Sequence, residues 1–153
     1  MTKIIIRITS IHRLMKPYEL LDHTADILLK SYGTSLAEAF EHAAVGMFDQ
    51  LYPTKNVKPI GEFQVDLQND DTEQLLVEWL SELLFIYETQ KVVFAKFEVN
   101  LDEKNNKLVS QAYGENIDPE KHVIDNEIKA VTYHMLEIGQ EDENYFVKVL
   151  LDI

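Results

Sequence analysis

The patterning of this chain predicts an α+β fold, two layers deep, with two helices packed on a largely antiparallel sheet. Three observations carry that expectation. Two stretches repeat apolar residues at helical spacing, each behind a helix-start signature. Several period-two stretches follow, separated by short polar turns. The order is strand, helix, strand, helix, then antiparallel strands, which suits helices gathered on one face of a sheet. At 153 residues the chain is most simply one domain, long enough for a proper core.

Taken in order, Tyr18 to Ser31 reads as an extended segment crossing an acidic run, with Gly33 marking a turn. Ser35 and Glu38 form a capping-box signature. Behind it Leu36, Phe40, Ala43, Ala44, Met47, Phe48 and Leu51 repeat at helical spacing, so a helix ending before Pro53 is expected. Glu38, Glu41, His42 and Asp49 fall largely on its other side, His42 as a surface residue. A loop from Thr54 leads to a strand at Glu62 to Leu67, where Phe63, Val65 and Leu67 share a face. Asp71 with Gln74 opens the second helix, and Leu75, Leu76, Trp79, Leu80, Leu83, Leu84 and Tyr87 line one wide apolar stripe. Such a stripe reads as a helix covering its sheet, or as a partner groove.

Val92 to Leu101 alternates, with Val93, Ala95, Phe97, Val99 and Leu101 on one face. A polar turn at Asp102 to Asn106 joins it to Lys107 to Tyr113 as a hairpin. The polar loop Asn116 to Asn126 is long enough to be functional. Glu127 to Ile138 favours a strand by its period of two and its β-branched residues. Tyr133 and His134 there invite a catalytic reading beside a structural one. Gly139 to Asn144 reads as an acidic turn, and Tyr145 to Ile153 as the closing strand.

Composition narrows the chemistry. Apolar residues make up 46% and charged residues 27%, an ordinary globular balance. No cysteine is present, so disulfides and thiolate metal sites are excluded. No apolar run approaches a membrane span. A net charge of −13, from 14 basic and 27 acidic residues, suits cations or a basic protein partner better than a phosphate backbone. Residues 1–14 contain Lys3, Arg7 and Arg13 and no acid. Ile4-Ile5-Ile6 is broken by Arg7, too short for a secretory core, while the basic bias faintly resembles a transit peptide. Residues 1–14 read as an extension from an upstream start, or an added strand, and residues 15–153 as the functional domain. Intact-mass measurement of the natively expressed protein would place the start.

Chemistry concentrates in Asp22-His23-Thr24-Ala25-Asp26. If the strand at Ile27 to Leu29 extends backward, Asp22, Thr24 and Asp26 share one side and His23 takes the other. The run fits a turn or helix cap, an acid/base site, or hard oxygen ligands for a cation. At the other end, Asp152 and the α-carboxylate of Ile153 sit one residue apart after an apolar run. The two acidic ends are expected to meet and hold a divalent metal, Ca²⁺ or Mg²⁺, because an all-oxygen set favours these over zinc. His23 adds a nitrogen or a hydrogen bond to a ligand. No phosphate loop, GxGxxG, HExxH or GxSxG motif is present.

These residues resemble the archease family. The resemblance runs through Asp22-His23-Thr24-Ala25-Asp26, the helix after Gly33 and the Leu75 to Leu84 run. It continues through Ala112-Tyr113-Gly114-Glu115, Asp118-Pro119-Glu120-Lys121-His122 and Ile128 to His134, and closes at Asp152-Ile153. About residues 15–153 are covered, and the basic extension is the departure. The resemblance implies a small α+β cytoplasmic domain that is not itself an enzyme. It implies an accessory protein of the RtcB-type RNA ligase, which joins RNA ends with GTP and a divalent metal in tRNA splicing and RNA repair. Such proteins promote guanylylation of the ligase and its multiple turnover. The family's metal site falls on Asp26, Asp152 and the terminal Ile153 carboxylate, with Asp22 and His23 in supporting roles. Two other readings stay open: a chaperone or modulator of RNA-modifying enzymes, and a metal-dependent phosphodiesterase using His23 as acid or base.

Overall fold

The computed structural model describes residues 16–153. The expected extension at residues 1–14 lies outside the described residues. Seven strands and two helices follow in the order β1 (Tyr18–Leu21), β2 (Ile27–Gly33), α1 (Leu36–Asp49), β3 (Gly61–Gln68), α2 (Thr72–Gln90), β4 (Val92–Asp102), β5 (Lys107–Asn116), β6 (Ala130–Glu141) and β7 (Asn144–Asp152). A 3₁₀ turn at Thr54–Asn56 interrupts the loop after α1.

The α+β class, with two helices on antiparallel sheet, is as expected. The layering differs. The strands divide into a four-stranded sheet, β1-β2-β7-β6, and a three-stranded sheet, β3-β5-β4, both antiparallel throughout. Helix α1 packs on β2 and β7 of the first sheet and on β4 of the second. Helix α2 packs on β6 of the first and on β3 and β4 of the second. The helices therefore lie between two sheets, and one apolar cluster joins all three layers. An all-round apolar demand explains why α2 buries Leu75, Leu76, Val77, Trp79, Leu80, Leu83, Leu84 and Ile86, a set wider than one stripe. Covering sheet is thus the role of this stripe from Leu75 to Leu84, and only Tyr87 at its end is left half-buried.

Both helix starts form as expected. Ser35 Oγ accepts the Glu38 N–H at 3.1 Å, while Glu38 Oε1 reaches back to the Thr34 N–H. Asp71 Oδ1 accepts the N–H groups of Glu73 and Gln74. Two buried polar pairs stitch helices to sheets. Ser31 Oγ donates to the Ala39 carbonyl at 2.7 Å, and Trp79 Nε1–H donates to Ser110 Oγ at 2.8 Å. Ser110 Oγ in turn donates to the Val65 carbonyl, so a polar link runs from α2 through β5 to β3. His42, expected at the surface, is half-buried and its Nδ1 faces the Tyr32 carbonyl at 2.5 Å.

Three strand expectations are corrected. Tyr18 to Ser31 is not one strand but a hairpin, with Leu21 paired to Leu28 and the acidic run in the connection. The alternation read from Val92 to Leu101 is broken by a bulge between Phe94 and Lys96, so Val92, Val93 and Phe94 are all buried. Bulging frees backbone groups, and Tyr52 recovers them: its hydroxyl accepts the Phe94 N–H at 2.6 Å and donates to the Phe94 carbonyl at 3.0 Å. A β-carbon at Gly114 would stand 1.9 Å from the Val93 carbonyl oxygen, so only glycine fits opposite this bulge. The third break is in β6. Thr132 pairs with Leu150 and Glu137 with Lys148, leaving Tyr133, His134, Met135 and Leu136 opposite the single residue Val149. Met135 adopts φ 59°, and Tyr133, His134 and Met135 are exposed. The acidic turn is shorter than expected, because β6 continues to Glu141 and turns on Asp142 and Glu143 alone, at φ 53° and 77°.

Candidate functional site

The acidic run occupies the connection between β1 and β2, so Asp22, Thr24 and Asp26 do not share one side of a strand. The Asp26 N–H donates to the Thr24 carbonyl at 2.7 Å, with Ala25 between them at φ 68°. This is the geometry of a γ-turn with a left-handed central residue, which is strained for an alanine. It sets Asp26 directly before Ile27, the first paired residue of β2. Asp22, His23 and Thr24 are exposed, while Asp26 is half-buried.

Register brings the two acidic stretches together. Ile27 pairs with Leu151, so Asp26 and Asp152 stand one step beyond the same cross-strand pair, on adjacent strands. Adjacent strands are about 4.8 Å apart, a separation that two carboxylates can share with one ion. On its other side Asp152 pairs with Ala130, and its carbonyl accepts the Lys129 N–H at 2.7 Å. By strand alternation Asp152 shares the sheet face of Lys148 and Leu150, opposite the face whose Val149 and Leu151 join the core cluster. Asp152 is half-buried and Ile153 is 43% exposed.

The sequence-expected residues thus separate into two groups. Asp26, Asp152 and the terminal residue Ile153 converge at one sheet end. Asp22 and His23 stay in the exposed turn, and His134 lies in the β6 bulge. Among the described residues, no three His, Asp or Glu side chains gather closely enough to hold an ion.

A second constellation borders this end, in the loop that its length marks as functional but whose residues sequence reasoning gave no specific role. The loop after β5 is built on Asp118, whose carbonyl accepts the N–H groups of Lys121 and His122 and whose Oδ1 accepts that of Glu120. His122 is 4% exposed. Its Nδ1 accepts the Asp118 N–H at 2.9 Å, so the proton resides on Nε2, which donates to Glu115 at 3.1 Å. Glu115 also accepts the Lys58 N–H at 2.7 Å and the Lys121 ammonium at 2.9 Å. These donors, the Lys58 N–H foremost, hold its carboxyl down at about 2. The loop is tied onward by the Asp125 N–H to the Leu51 carbonyl, the Asn126 amide to the Gln50 carbonyl, and the Lys129 N–H to Asp152. The end of α1, this loop and the paired acids therefore occupy one end of the molecule. The available signal was the spacing of Asp118 and His122 in a polar loop directly after Glu115.

The arrangement defines a class: a small α+β domain of two antiparallel sheets around two helices, with paired strand-end acids beside a clasped loop. The model of the archease protein family (MTH1598/TM1083) matches residues 18–153. The protein archease of Sulfurisphaera tokodaii is 40% identical over 139 residues, covering 91% of this chain and 100% of that protein. That of Methanothermobacter thermautotrophicus is 43% identical over 141 residues, with the same coverage of each. The solution structure of Methanobacterium thermoautotrophicum protein 1598 matches with a TM-score of 0.80 at 42% identity, over 91% of this chain and all of that one. The crystal structure of a Thermotoga maritima archease, described as a possible chaperone, shares the fold at a TM-score of 0.55 and 18% identity, over 88% and 96% of the two chains. This chain belongs to the archease family. Among the described residues, no helix is long and apolar enough to cross a membrane.

Proposed function

We propose that this chain is a non-catalytic accessory protein that activates an RtcB-type, GTP-dependent RNA ligase in tRNA splicing and RNA repair. It promotes guanylylation of the ligase and its multiple turnover, acting in the cytoplasm. The observation that supports this most is the register that sets Asp26 and Asp152 one step beyond the same β2–β7 pair. With the Ile153 carboxylate, they would hold a divalent cation, Ca²⁺ or Mg²⁺, at a surface that a partner can reach. The cation would bring positive charge to an otherwise acidic end, where a nucleotide-handling enzyme has use for it. A net charge of −13 fits docking on a basic protein surface and disfavours direct competition for RNA.

The test is a guanylylation assay with the RtcB-type ligase of the same organism, GTP and divalent metal, adding this protein in substoichiometric amounts. Catalytic stimulation that Asp26→Ala abolishes is expected. Well-folded protein without stimulation would overturn the activator reading. Metal-dependent phosphodiester hydrolysis by the protein alone, lost in Asp26→Ala, would replace it with an enzyme. Stimulation of an RNA-modifying enzyme and not of the ligase would replace it with the modulator reading.

A further inference from the structure

A cavity of about 450 Å³ opens between the end of α2 and the loop after β5. Its floor is apolar, made by Leu51, Ile117 and Ile128 with the half-buried ring of Tyr87. Its rim carries Glu88 and Glu127 against one cation, Lys91. No ion pair among the described residues involves any of these three.

The backbone adds to the negative side. Helix α2 ends here at Gln90, with no basic residue in its last turn. Its terminal carbonyls carry partial negative charge that no side-chain cation of that turn offsets. One local bond covers the Phe85 carbonyl through Thr89, and the Lys91 carbonyl, just beyond the helix, accepts the Ile117 N–H. An aromatic wall, an apolar floor, two unpaired carboxylates and a helix C-terminus together select a cation carried on an apolar stem.

We propose that this cavity receives an arginine side chain from a basic segment of a protein partner. The proposal rests on the reading of this chain as an acidic protein that docks on another protein. Arginine suits the site better than lysine, because its planar guanidinium can stack on Tyr87 while its donors reach two carboxylates. Charge complementarity singles out a basic partner: the chain carries net −13, and an approaching basic surface is steered to it before the cavity selects the side chain. The cavity also shares its wall with the loop that reaches Asp152, so a segment seated there would lie beside the paired acids.

The experiment uses the full chain and a fluorescein-labelled hexa-arginine peptide, read by anisotropy at about 0.15 M salt, where exposed charges are largely screened. Glu88→Gln with Glu127→Gln should weaken binding by about tenfold or more. The charge-matched pair Glu82→Gln with Glu103→Gln, on exposed residues away from the cavity, should leave it within about twofold. Lys91→Met should tighten it. Equal losses from both glutamate pairs would reduce the binding to general acidity and overturn the proposal, as would absence of peptide binding to the unaltered protein. Self-association that the Glu88/Glu127 pair abolishes would assign the cavity to a second copy instead, and overturn it too. No ligase is present in this measurement, so its failure leaves the guanylylation result to stand or fall separately.

Discussion

Glu115, at the end of β5, accepts from Lys58, Lys121 and His122, and the consequence is a pH dependence with a definite sign. Its carboxyl sits at about 2 in the folded protein against an ordinary 4.5. A lowered folded value means that the ionised form stabilises the fold fully above 4.5, and that this stabilisation is lost as pH falls toward 2. Thermal midpoints followed from pH 6 down to about 2 should therefore fall more steeply for the unaltered protein than for Glu115→Gln. Parallel curves would show that the clasp contributes nothing through charge. At the acid pair, Asp26→Ala and deletion of Ile153 should each weaken Ca²⁺ or Mg²⁺ binding in calorimetric titrations. Unchanged affinity in both would separate Asp26 from the chain end and sink a shared site.

Turns and bulges decide what the strands present. The β6–β7 turn places Asp142 and Glu143 at φ 53° and 77°, the two positive angles of the hairpin turn that favours Asn-Gly or Asp-Gly. Glu143 bears that conformation at a cost, so Glu143→Gly should raise stability in urea unfolding by up to about 1 kcal/mol. A destabilised variant would show that Glu143 makes contacts outweighing its strain. The β6 bulge works at the same scale. By pushing Tyr133, His134 and Met135 out of the ladder, it frees three side chains from the sheet's packing requirement. Alternation along Glu127 to Ile138 was legible because the strand is real on both sides of the bulge. The bulge itself was not, since Thr-Tyr-His-Met carries no glycine or proline to mark it. N-caps, by contrast, are legible at Ser35 and Asp71, because a cap is a contact within four residues and needs no knowledge of the rest of the chain.

At the scale of the molecule, the paired acids join the first turn of the described chain to its last residue. A cation bound there links β2 to β7 and binds the folded state alone, so it should raise the thermal midpoint by mass action. At about one hundred times its dissociation constant the gain is roughly 2.7 kcal/mol, and Asp26→Ala should remove it. A midpoint unmoved by saturating Ca²⁺ and Mg²⁺ alike would argue against a native-state ion.

The α+β class, both helices with their caps, most strands and the two acidic ends were determined by the sequence itself. Each depends on periodicity or on contacts between near neighbours. Family membership was legible too, through several ordered motifs. Only the tertiary structure decided that the strands form two sheets around the helices, because strand partners are chosen by burial across the whole chain. Likewise, it alone turned the acidic run into a hairpin connection, set Asp26 and Asp152 one step beyond a single pair, and gave His122 and Glu115 to each other. Sheet partners and the Asp26–Asp152 neighbourhood join residues far apart in sequence, while the hairpin and the His122–Glu115 bond span seven residues but have no turn signature of their own, so all of them exist only once the core has closed.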